Sequence, residues 1–303
     1  MSSDQQILVP LTYKQYHLNA IQPTGWIERE IKLSAHGLAG HLFEFYRFVR
    51  HSTWLGGEWE YTALNEAAPY WYNYAVPLAY AINPTTDPEL HSRILKQAQE
   101  FLDYTLDHQA DDGWLGPETT RQTRGIWARC LLLQGMINHA LADTTQYDKI
   151  VNAIFRFVRL VHAMLSNDLD GYLPRNDDIF DPQWFGVCRA HELSLSLQWL
   201  YEETGNEEDR RLMWEIMDML WIGAQKAGRA WTDFFLEDRF PKTPPRRNGI
   251  ERAIKLQHGV NIAQGIRSPF RERSSGRLAK SPQAYDIPLS CIECTRRNIY
   301  RNR

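Results

Sequence analysis

Two short segments place a carboxylate next to an aromatic ring at a tight turn. Asp112-Gly113-Trp114-Leu115 follows one stretch with helical periodicity, and Asp170-Gly171-Tyr172-Leu173 follows another 58 positions later. Carboxylates and ring faces are the groups that proteins use to hydrogen-bond and stack against sugars. The structural alternative is that Asp-Gly is simply a turn and the aromatic residue a plug beneath it. Both turns are therefore candidate sites with two open interpretations.

Other polar residues stand beside aromatic ones and complete the set of candidates. Glu66 precedes Pro69-Tyr70-Trp71, so it is placed either to meet a ligand or to cap the helix that follows. His191 and Glu192 form a polar pair in a helical stretch, either on a cavity face or satisfied in the interior. Trp59, Trp71 and Trp114 are candidates for sugar stacking. The candidate substrate-binding residues are His258, Asn261, Glu66, Trp71, Asp112, Trp114, His191 and Glu192.

The elements that must position these residues are helices. From about residue 36, apolar residues recur at helical spacing, and short loops rich in Gly, Pro, Asp and Asn separate the segments. Few segments alternate with period two for long enough to form strands, so the sequence predicts an all-α fold, with a short hairpin near the start of the chain as the open alternative. We place helices near 36–52, 66–82, 89–109, 124–142, 146–166, 187–204, 207–227 and 251–266.

The repeated turn predicts how these helices are arranged. Each Asp-Gly-aromatic-Leu segment lies between two helical stretches, and a period of about 50–60 residues with two helices per unit is typical of stacked helical hairpins. Such hairpins form a solenoid or close into a ring. In a ring, the loops at one end surround a central cavity, so we expect the Asp112 and Asp170 turns on the same rim.

Composition excludes several classes of function. The chain has 303 residues, of which 43% are hydrophobic and 23% charged, as in ordinary globular proteins. A net charge of -3 does not provide the field that holds nucleic acid or an anionic membrane. No secretory pattern and no run of about 18 apolar residues is present. We expect a cytoplasmic protein in a reducing compartment, because four cysteines in a chain of this length do not form a disulfide framework.

Three runs resemble, in the same order, motifs of glycoside hydrolase family 127, the beta-L-arabinofuranosidases. They lie within 64–80, 112–117 and 255–265, and the last contains His258-Gly259-Val260-Asn261. Arg189-Ala190-His191-Glu192-Leu193 is also similar to the family's pattern. The resemblance spans about residues 54–268. The Asp-Gly-Trp-Leu-Gly-Pro turn is shared with other helical-toroid glycosidases, so it bears on the fold more than on the family.

The resemblance implies an (α/α)6 toroid of six hairpins that removes terminal beta-L-arabinofuranose from glycans or glycoconjugates with retention. The start of helical periodicity near residue 36 and the end of the resemblance near 268 divide the chain into an N-terminal segment (1–35), a partial toroid domain (36–268) and a tail (269–303). The resemblance places a substrate-contacting histidine at His258. In the family, a cysteine thiolate held on zinc by further cysteines and a glutamate is the nucleophile, and another glutamate is the acid/base. Zinc keeps the thiol deprotonated, and the acid/base moves the leaving-group proton.

The resemblance stops after Pro269, before the region in which the family carries its acid/base glutamate, Glu-x-Cys motif and later cysteine pair. Residues 269–303 have a net charge of +5, whereas the rest of the chain has -8. This change is typical of a frameshift, an unspliced intron or a truncation; a basic tail that evolved for binding is the alternative. The catalytic residues are therefore unknown. We expect no cofactor in this chain, although full-length family members hold zinc.

Cys291 and Cys294 have the spacing of a zinc-binding pair, but a zinc site needs two further ligands. The sequence contains no second such pair, and Cys130 or Cys188 would join only if the fold brought them close. We therefore expect no metal site. The low apolar content of the tail predicts that it is poorly ordered.

Three hypotheses of function remain open. The first is a homologue of the beta-L-arabinofuranosidases that binds a carbohydrate or a glycosylated small molecule. Its catalytic activity is in doubt because the region that holds the nucleophile and zinc is missing. The second is a non-catalytic carbohydrate-binding or scaffold protein descended from such an enzyme. The third is another helical-toroid sugar enzyme, an unsaturated uronyl hydrolase or an epimerase, which would use carboxylates or histidines already present. The sequence does not determine the oligomeric state.

Overall fold

A computed structural model describes residues 16–118, 124–175, 180–182, 184–204, 206–231 and 258–265. All regular structure in these ranges is helical, which confirms the all-α prediction for this part of the chain. None of the helices described is long and apolar enough to cross a membrane. The tail over 269–303, with Cys291 and Cys294, lies outside the described residues. The expectation that this tail is poorly ordered therefore stays a prediction.

The chain divides into two compact units. Of the described residues, those within 16–163 form the first unit and those within 164–265 form the second. The expectation that the helices close into a ring concerns both units and stays a prediction.

Seven α-helices of the described residues begin in the first unit, and α4 packs against both α5 and α6. The core between these three helices contains Trp71, Tyr72, Phe101 and Leu132, which are at most 5% exposed. The helices are α1 (Gly25–His36), α2 (Leu38–Phe45), α3 (Arg47–Arg50), α4 (Ala67–Ala81), α5 (Pro88–Asp107), α6 (Trp127–Ala142) and α7 (Tyr147–Ser166), with a 3-10 turn at Thr53–Leu55.

The second unit contains α8 (Leu193–Glu203), α9 (Glu207–Lys226) and α10 (Gly259–Gly265), with a 3-10 turn at Ala190–Glu192 before α8. Helices α8 and α9 pack against each other. Asn206 caps α9, because its side-chain oxygen accepts hydrogen bonds from the amides of Glu208 (2.9 Å) and Asp209 (3.4 Å). The acidic residues Glu207, Glu208 and Asp209 in the first turn add favourable charge at the positive end of the helix dipole.

The start of α5 carries Asp87-Pro88-Glu89, residue types that favour the beginning of a helix. Pro88 is at the first turn, but the Asp87 side chain makes no capping hydrogen bond. Its carboxylate instead pairs with the ammonium group of Lys32, 2.6 Å away on α1. Asp87 therefore joins α1 to the start of α5.

The single helix predicted over 36–52 is wrong, because α1 ends at His36 and the residues that follow form two separate helices, α2 and α3. Gly37 and Tyr46 have extended backbone conformations that interrupt the helical path. A β-carbon built on Gly40 would lie 1.8 Å from the carbonyl oxygen of Ala35. Only a glycine allows α2 to turn back this closely on the end of α1.

Candidate functional site

Glu66 lies at the N-terminal end of α4, where its carboxylate faces the next helix but one. It accepts a hydrogen bond of 2.5 Å from the indole nitrogen of Trp127, the first residue of α6. Although Glu66 occupies the cap position, its side chain makes no capping hydrogen bond to α4. The carboxylate therefore joins the start of α4 to the start of α6.

Asp112 is held within its own turn by two partners. Its carboxylate accepts a hydrogen bond from the backbone amide of Trp114 at 3.1 Å and forms an ion pair with Arg124. Burial alone would raise the pKa of Asp112, but the hydrogen bonds from Arg124 and from the Trp114 amide outweigh it and lower the pKa below its ordinary value. The side chain, 44% exposed, is thus ionised at neutral pH.

The aromatic candidates of the first unit lie in its interior. Trp71 is 5% exposed, with its ring centroid 4.9 Å from that of Phe43 and 5.9 Å from that of Phe101. Trp114 has no exposed surface and packs on Phe157. Both rings contribute to the core of the unit.

The second Asp-Gly-aromatic turn belongs to the second unit. Tyr172 is 3% exposed, and its hydroxyl donates to the carbonyl of Val187 at 3.3 Å. The carboxylate of Asp170, 5% exposed, lies 3.4 Å from the guanidinium of Arg175. In this turn, as in the first, the aromatic ring is buried.

Arg129 is the buried charge at the centre of the Asp112 turn, and sequence reasoning missed it. Its guanidinium is fully buried, contacts the ring faces of Trp54 (4.8 Å) and Trp114 (4.1 Å), and pairs with the carboxylate of Glu118. It also donates to the carbonyl of Leu115 at 2.7 Å. A buried arginine needs several such partners, because burial of an unpaired charge strongly lowers the free energy of unfolding. Nothing in the sequence around Arg129 marks it as the partner of Trp54 and Trp114, because these contacts form only in the fold.

In the second unit, the segment before α8 meets α10 through a buried hydrogen bond. Nε of Arg189 donates to Oδ1 of Asn261 at 2.6 Å, although the two residues are 72 positions apart. Arg189 is 6% exposed and Asn261 has no exposed surface. A charge-assisted hydrogen bond of this kind orients both side chains firmly.

His191 and Glu192 lie in the 3-10 turn beside this hydrogen bond. The Nε2 atom of His191 is 3.0 Å from the backbone oxygen of Gln264 on α10 and 3.5 Å from the carboxylate of Glu192. Because a carbonyl oxygen only accepts hydrogen bonds, Nε2 carries the proton. The His191 side chain is 16% exposed and that of Glu192 is 4% exposed. The pair therefore lies at the edge of the interior.

His258 precedes α10 and is the exposed member of the group. Its imidazole meets the ring of Phe185 edge-on at 5.7 Å, and the guanidinium of Arg189 lies 5.7 Å from the same ring. Phe185 thus contacts both residues. We call Arg189, His191, Glu192, His258 and Asn261 the Arg189–Asn261 cluster.

Trp231 packs α10 against the segment that carries the cluster. Its indole nitrogen donates to the carbonyl of Cys188 at 2.7 Å, and the ring is 3% exposed. A β-carbon on Gly265 would lie 2.3 Å from this ring, so the close packing of α10 depends on a glycine there. Asp181 shapes the preceding turn by accepting hydrogen bonds from the amides of Phe185 (2.8 Å) and Val187 (3.1 Å).

The structure brings four of the eight candidates together: His191, Glu192, His258 and Asn261. The other four, Glu66, Trp71, Asp112 and Trp114, belong to the first unit. Arg189, Phe185 and Trp231 were not among the candidates. Arg189 stands in the same motif as His191, which is the signal that could have identified it.

No group of three or more His, Cys, Asp or Glu side chains is placed to hold a metal ion in the ranges that the structure describes. Cys130 and Cys188 are buried. Each donates to a carbonyl four residues earlier, Cys130 to Ile126 at 3.7 Å and Cys188 to Trp184 at 3.4 Å.

The Arg189–Asn261 cluster contains a buried guanidinium, amide and carboxylate beside two imidazoles, of which that of His258 is exposed. Comparison of the chain with models of protein families, with curated proteins and with solved structures finds no match.

Proposed function

We propose that the chain is a homologue of the beta-L-arabinofuranosidases and that the Arg189–Asn261 cluster binds a terminal arabinofuranose of a glycan or glycoconjugate. The observation that supports this most directly is the hydrogen bond of 2.6 Å between Arg189 and Asn261. Each residue belongs to a different run that resembles the family, and the contact joins the two runs. A binding site shared by the two runs would bring their residues together in this way.

The chemistry of the cluster suits a neutral sugar. Sugar hydroxyls both donate and accept hydrogen bonds, and so do the imidazoles at the solvent side of the cluster, on His258, which is exposed, and on His191, whose side chain is 16% exposed. The exposed His258 gives a ligand access, and the Phe185 ring beside it supplies an apolar surface for carbon-bound hydrogens. Because Arg189 and Asn261 are already oriented by each other, a ligand would bind with little loss of side-chain entropy.

Binding and cleavage are separate parts of the proposal. The resemblance implies that the zinc-bound nucleophile and the acid/base follow the segment of the family that residues up to Pro269 resemble. The cluster is therefore proposed to hold the sugar and not to break its glycosidic bond. Sugar binding without cleavage needs only residues that the structure describes, so the proposed function includes a non-catalytic carbohydrate-binding protein.

A second candidate function rests on one observation, the distance of 3.5 Å between Nε2 of His191 and the carboxylate of Glu192. An imidazole and a carboxylate in contact can exchange protons with a substrate, as an epimerase or an unsaturated uronyl hydrolase requires. Turnover of an unsaturated uronide that is lost on changing His191→Gln would support this second function over the first.

The binding proposal is tested by calorimetry with methyl beta-L-arabinofuranoside. His258→Ala should weaken binding about tenfold, the equivalent of about 1.4 kcal/mol, because the exposed imidazole would no longer contact the sugar. His17→Ala, which removes another exposed histidine, is the matched control and should leave the affinity unchanged. Absence of measurable binding by the unaltered chain, or equal effects of the two substitutions, would contradict the proposal.

A further inference from the structure

The first unit carries an exposed aromatic surface that no part of the proposed function uses. Trp59 is 48% exposed and Tyr61 is 63% exposed, although both belong to residue types that usually bury most of their area. They belong to the loop that leads from α3 to α4. We call Tyr46, Arg47, Phe48, Trp59 and Tyr61 the Trp59–Tyr61 surface.

The loop that carries these rings is anchored from within by the residue between them. The carboxylate of Glu60 accepts hydrogen bonds from Ser52 Oγ (2.7 Å), the Thr53 amide (3.0 Å) and Thr53 Oγ1 (2.5 Å). The amide of Trp59 also donates to the carbonyl of His51 at 3.0 Å. Because Glu60 is fixed inward, its two neighbours are presented outward on a backbone that is already ordered. Ligand binding there would cost little loop entropy.

Contacts among the side chains set the orientation of the rings. The Arg47 guanidinium lies 4.4 Å from the Trp59 ring centroid and 4.8 Å from that of Phe48. Phe48 meets Tyr46 edge-on at 5.3 Å and Tyr61 edge-on at 5.7 Å. Arg47 forms no ion pair with any described carboxylate, so its N–H groups are available to acceptors such as hydroxyl oxygens.

Charge on this surface favours a neutral ligand. Arg47, whose guanidinium contacts the Trp59 ring, and Glu58, which precedes Trp59 in the sequence, are both exposed and carry opposite charges. The nearby Arg50 pairs with Glu100 at 3.3 Å. A nucleic acid or another polyanion would need an excess of positive charge.

We propose that the Trp59–Tyr61 surface is a glycan-binding subsite, on which successive sugar rings of a neutral polysaccharide stack against Trp59 and Tyr61 while Arg47 donates to their hydroxyls. Sugar rings present an apolar face of carbon-bound hydrogens and an edge of hydroxyls, which match exposed aromatic rings and an adjacent guanidinium. The inference rests on the proposed function for its class of ligand, but it concerns different residues and longer ligands than the Arg189–Asn261 cluster.

Affinity electrophoresis of the full chain in gels that contain linear arabinan or xylan tests the subsite. The unaltered chain should be retarded by at least one of these polysaccharides, and Trp59→Ala should weaken the apparent affinity by about fivefold to tenfold, as loss of ring stacking does. Trp59→Phe should keep most of the retardation because it keeps a ring. Trp26→Ala, which removes a tryptophan that is 67% exposed on α1, is the matched control and should migrate like the unaltered chain.

Two further measurements separate this subsite from the proposed function. Trp59→Ala should still bind methyl beta-L-arabinofuranoside, whereas His258→Ala should still be retarded by the polysaccharide. The subsite is refuted if no neutral polysaccharide retards the chain, or if Trp59→Ala and Trp26→Ala behave alike. It is also refuted if Trp59→Ala loses affinity for polygalacturonate or a proline-rich peptide and not for arabinan or xylan. Melting curves of each variant confirm that lost retardation does not reflect unfolding.

Discussion

Nδ1 of His139 on α6 lies 2.9 Å from the hydroxyl oxygen of Tyr72 on α4, and both side chains are fully buried. The other ring nitrogen of His139 has no hydrogen-bond partner among the described residues. Burial penalises the charged imidazolium and lowers the pKa of His139 from its ordinary value of 6.5. The histidine is therefore neutral in the folded protein at neutral pH.

This lowered pKa predicts a loss of stability in acid. The unfolded chain binds the proton near pH 6.5 and the folded chain only at lower pH, so the unfolded state carries more protons between the two values. The contribution of His139 to the free energy of unfolding is thus complete above pH 6.5 and falls as the pH decreases. Urea denaturation measures the free energy of unfolding at about pH 7.5 and at about pH 5.5. The decrease between these two pH values should be smaller for His139→Gln than for the unaltered chain. His17→Gln, at an exposed position, should behave like the unaltered chain; a reduced difference in that variant would contradict the assignment.

Removal of one partner of the buried pair Arg129–Glu118 should be strongly destabilising. Arg129→Met leaves the Glu118 carboxylate, 7% exposed, without its counter-charge, and the expected loss is about 3–5 kcal/mol of unfolding free energy. Arg50→Met breaks an ion pair whose side chains are 44% and 51% exposed, and the expected loss is below about 1 kcal/mol. Urea denaturation of both variants measures the contrast, and similar losses would show that Arg129 does not hold the Asp112 turn.

Two glycines of the same helix should respond differently to an added methyl group. In Gly265→Ala the new β-carbon would collide with the Trp231 ring, and overpacking of this kind costs about 1–3 kcal/mol. In Gly259→Ala the β-carbon meets no atom within 4 Å. The rate of amide hydrogen exchange in α10 should therefore rise in Gly265→Ala and not in Gly259→Ala. Sugar affinity should fall in Gly265→Ala alone. Equal exchange in both would mean that Trp231 does not pack α10 in place.

Deletion of residues 270–303 should leave the melting temperature nearly unchanged. Their low apolar content cannot offset the entropy of ordering the segment. Differential scanning calorimetry compares the shortened chain with the full chain. A large decrease in melting temperature would show that the tail contains a docked element.

The 303-residue chain, purified with zinc, should hydrolyse p-nitrophenyl beta-L-arabinofuranoside no faster than a blank. A retaining glycosidase needs a nucleophile and an acid/base beside one glycosidic bond, and loss of either removes several orders of magnitude in rate. A chain extended through a restored reading frame that supplies both should cleave this substrate. Turnover by the 303-residue chain that disappears on changing His258, Glu66 or Asp112 would instead favour the uronyl hydrolase or epimerase type of toroid.

The helices from α4 to α9 could be predicted from the sequence because their signals are local. The apolar period, Pro88 at the first turn of α5 and Asn206 before α9 act within a few residues of each helix end. The break between α1 and α2 could not be predicted from the sequence, because it depends on how closely Gly40 approaches Ala35. Helical periodicity carries no information on such a contact.

Residue type also could not determine which aromatic rings reach the surface. Trp59 and Trp114 stand in similar polar surroundings in the sequence, yet the first is 48% exposed and the second has no exposed surface. Burial depends on the neighbouring helices and loops, and Trp114 is covered by Phe157 and Arg129 from elsewhere in the chain.

The sequence by itself determined the all-α class and the motifs in which His191, Glu192, His258 and Asn261 occur, because helix periods and motif spacings are properties of neighbouring residues. Only the tertiary structure decided that His191 reaches the backbone of α10 and that Arg189 hydrogen-bonds to Asn261. That contact spans 72 positions and depends on Trp231 packing against Gly265. Long-range packing of this kind is set by the shape of the whole unit and leaves no periodic trace in the sequence.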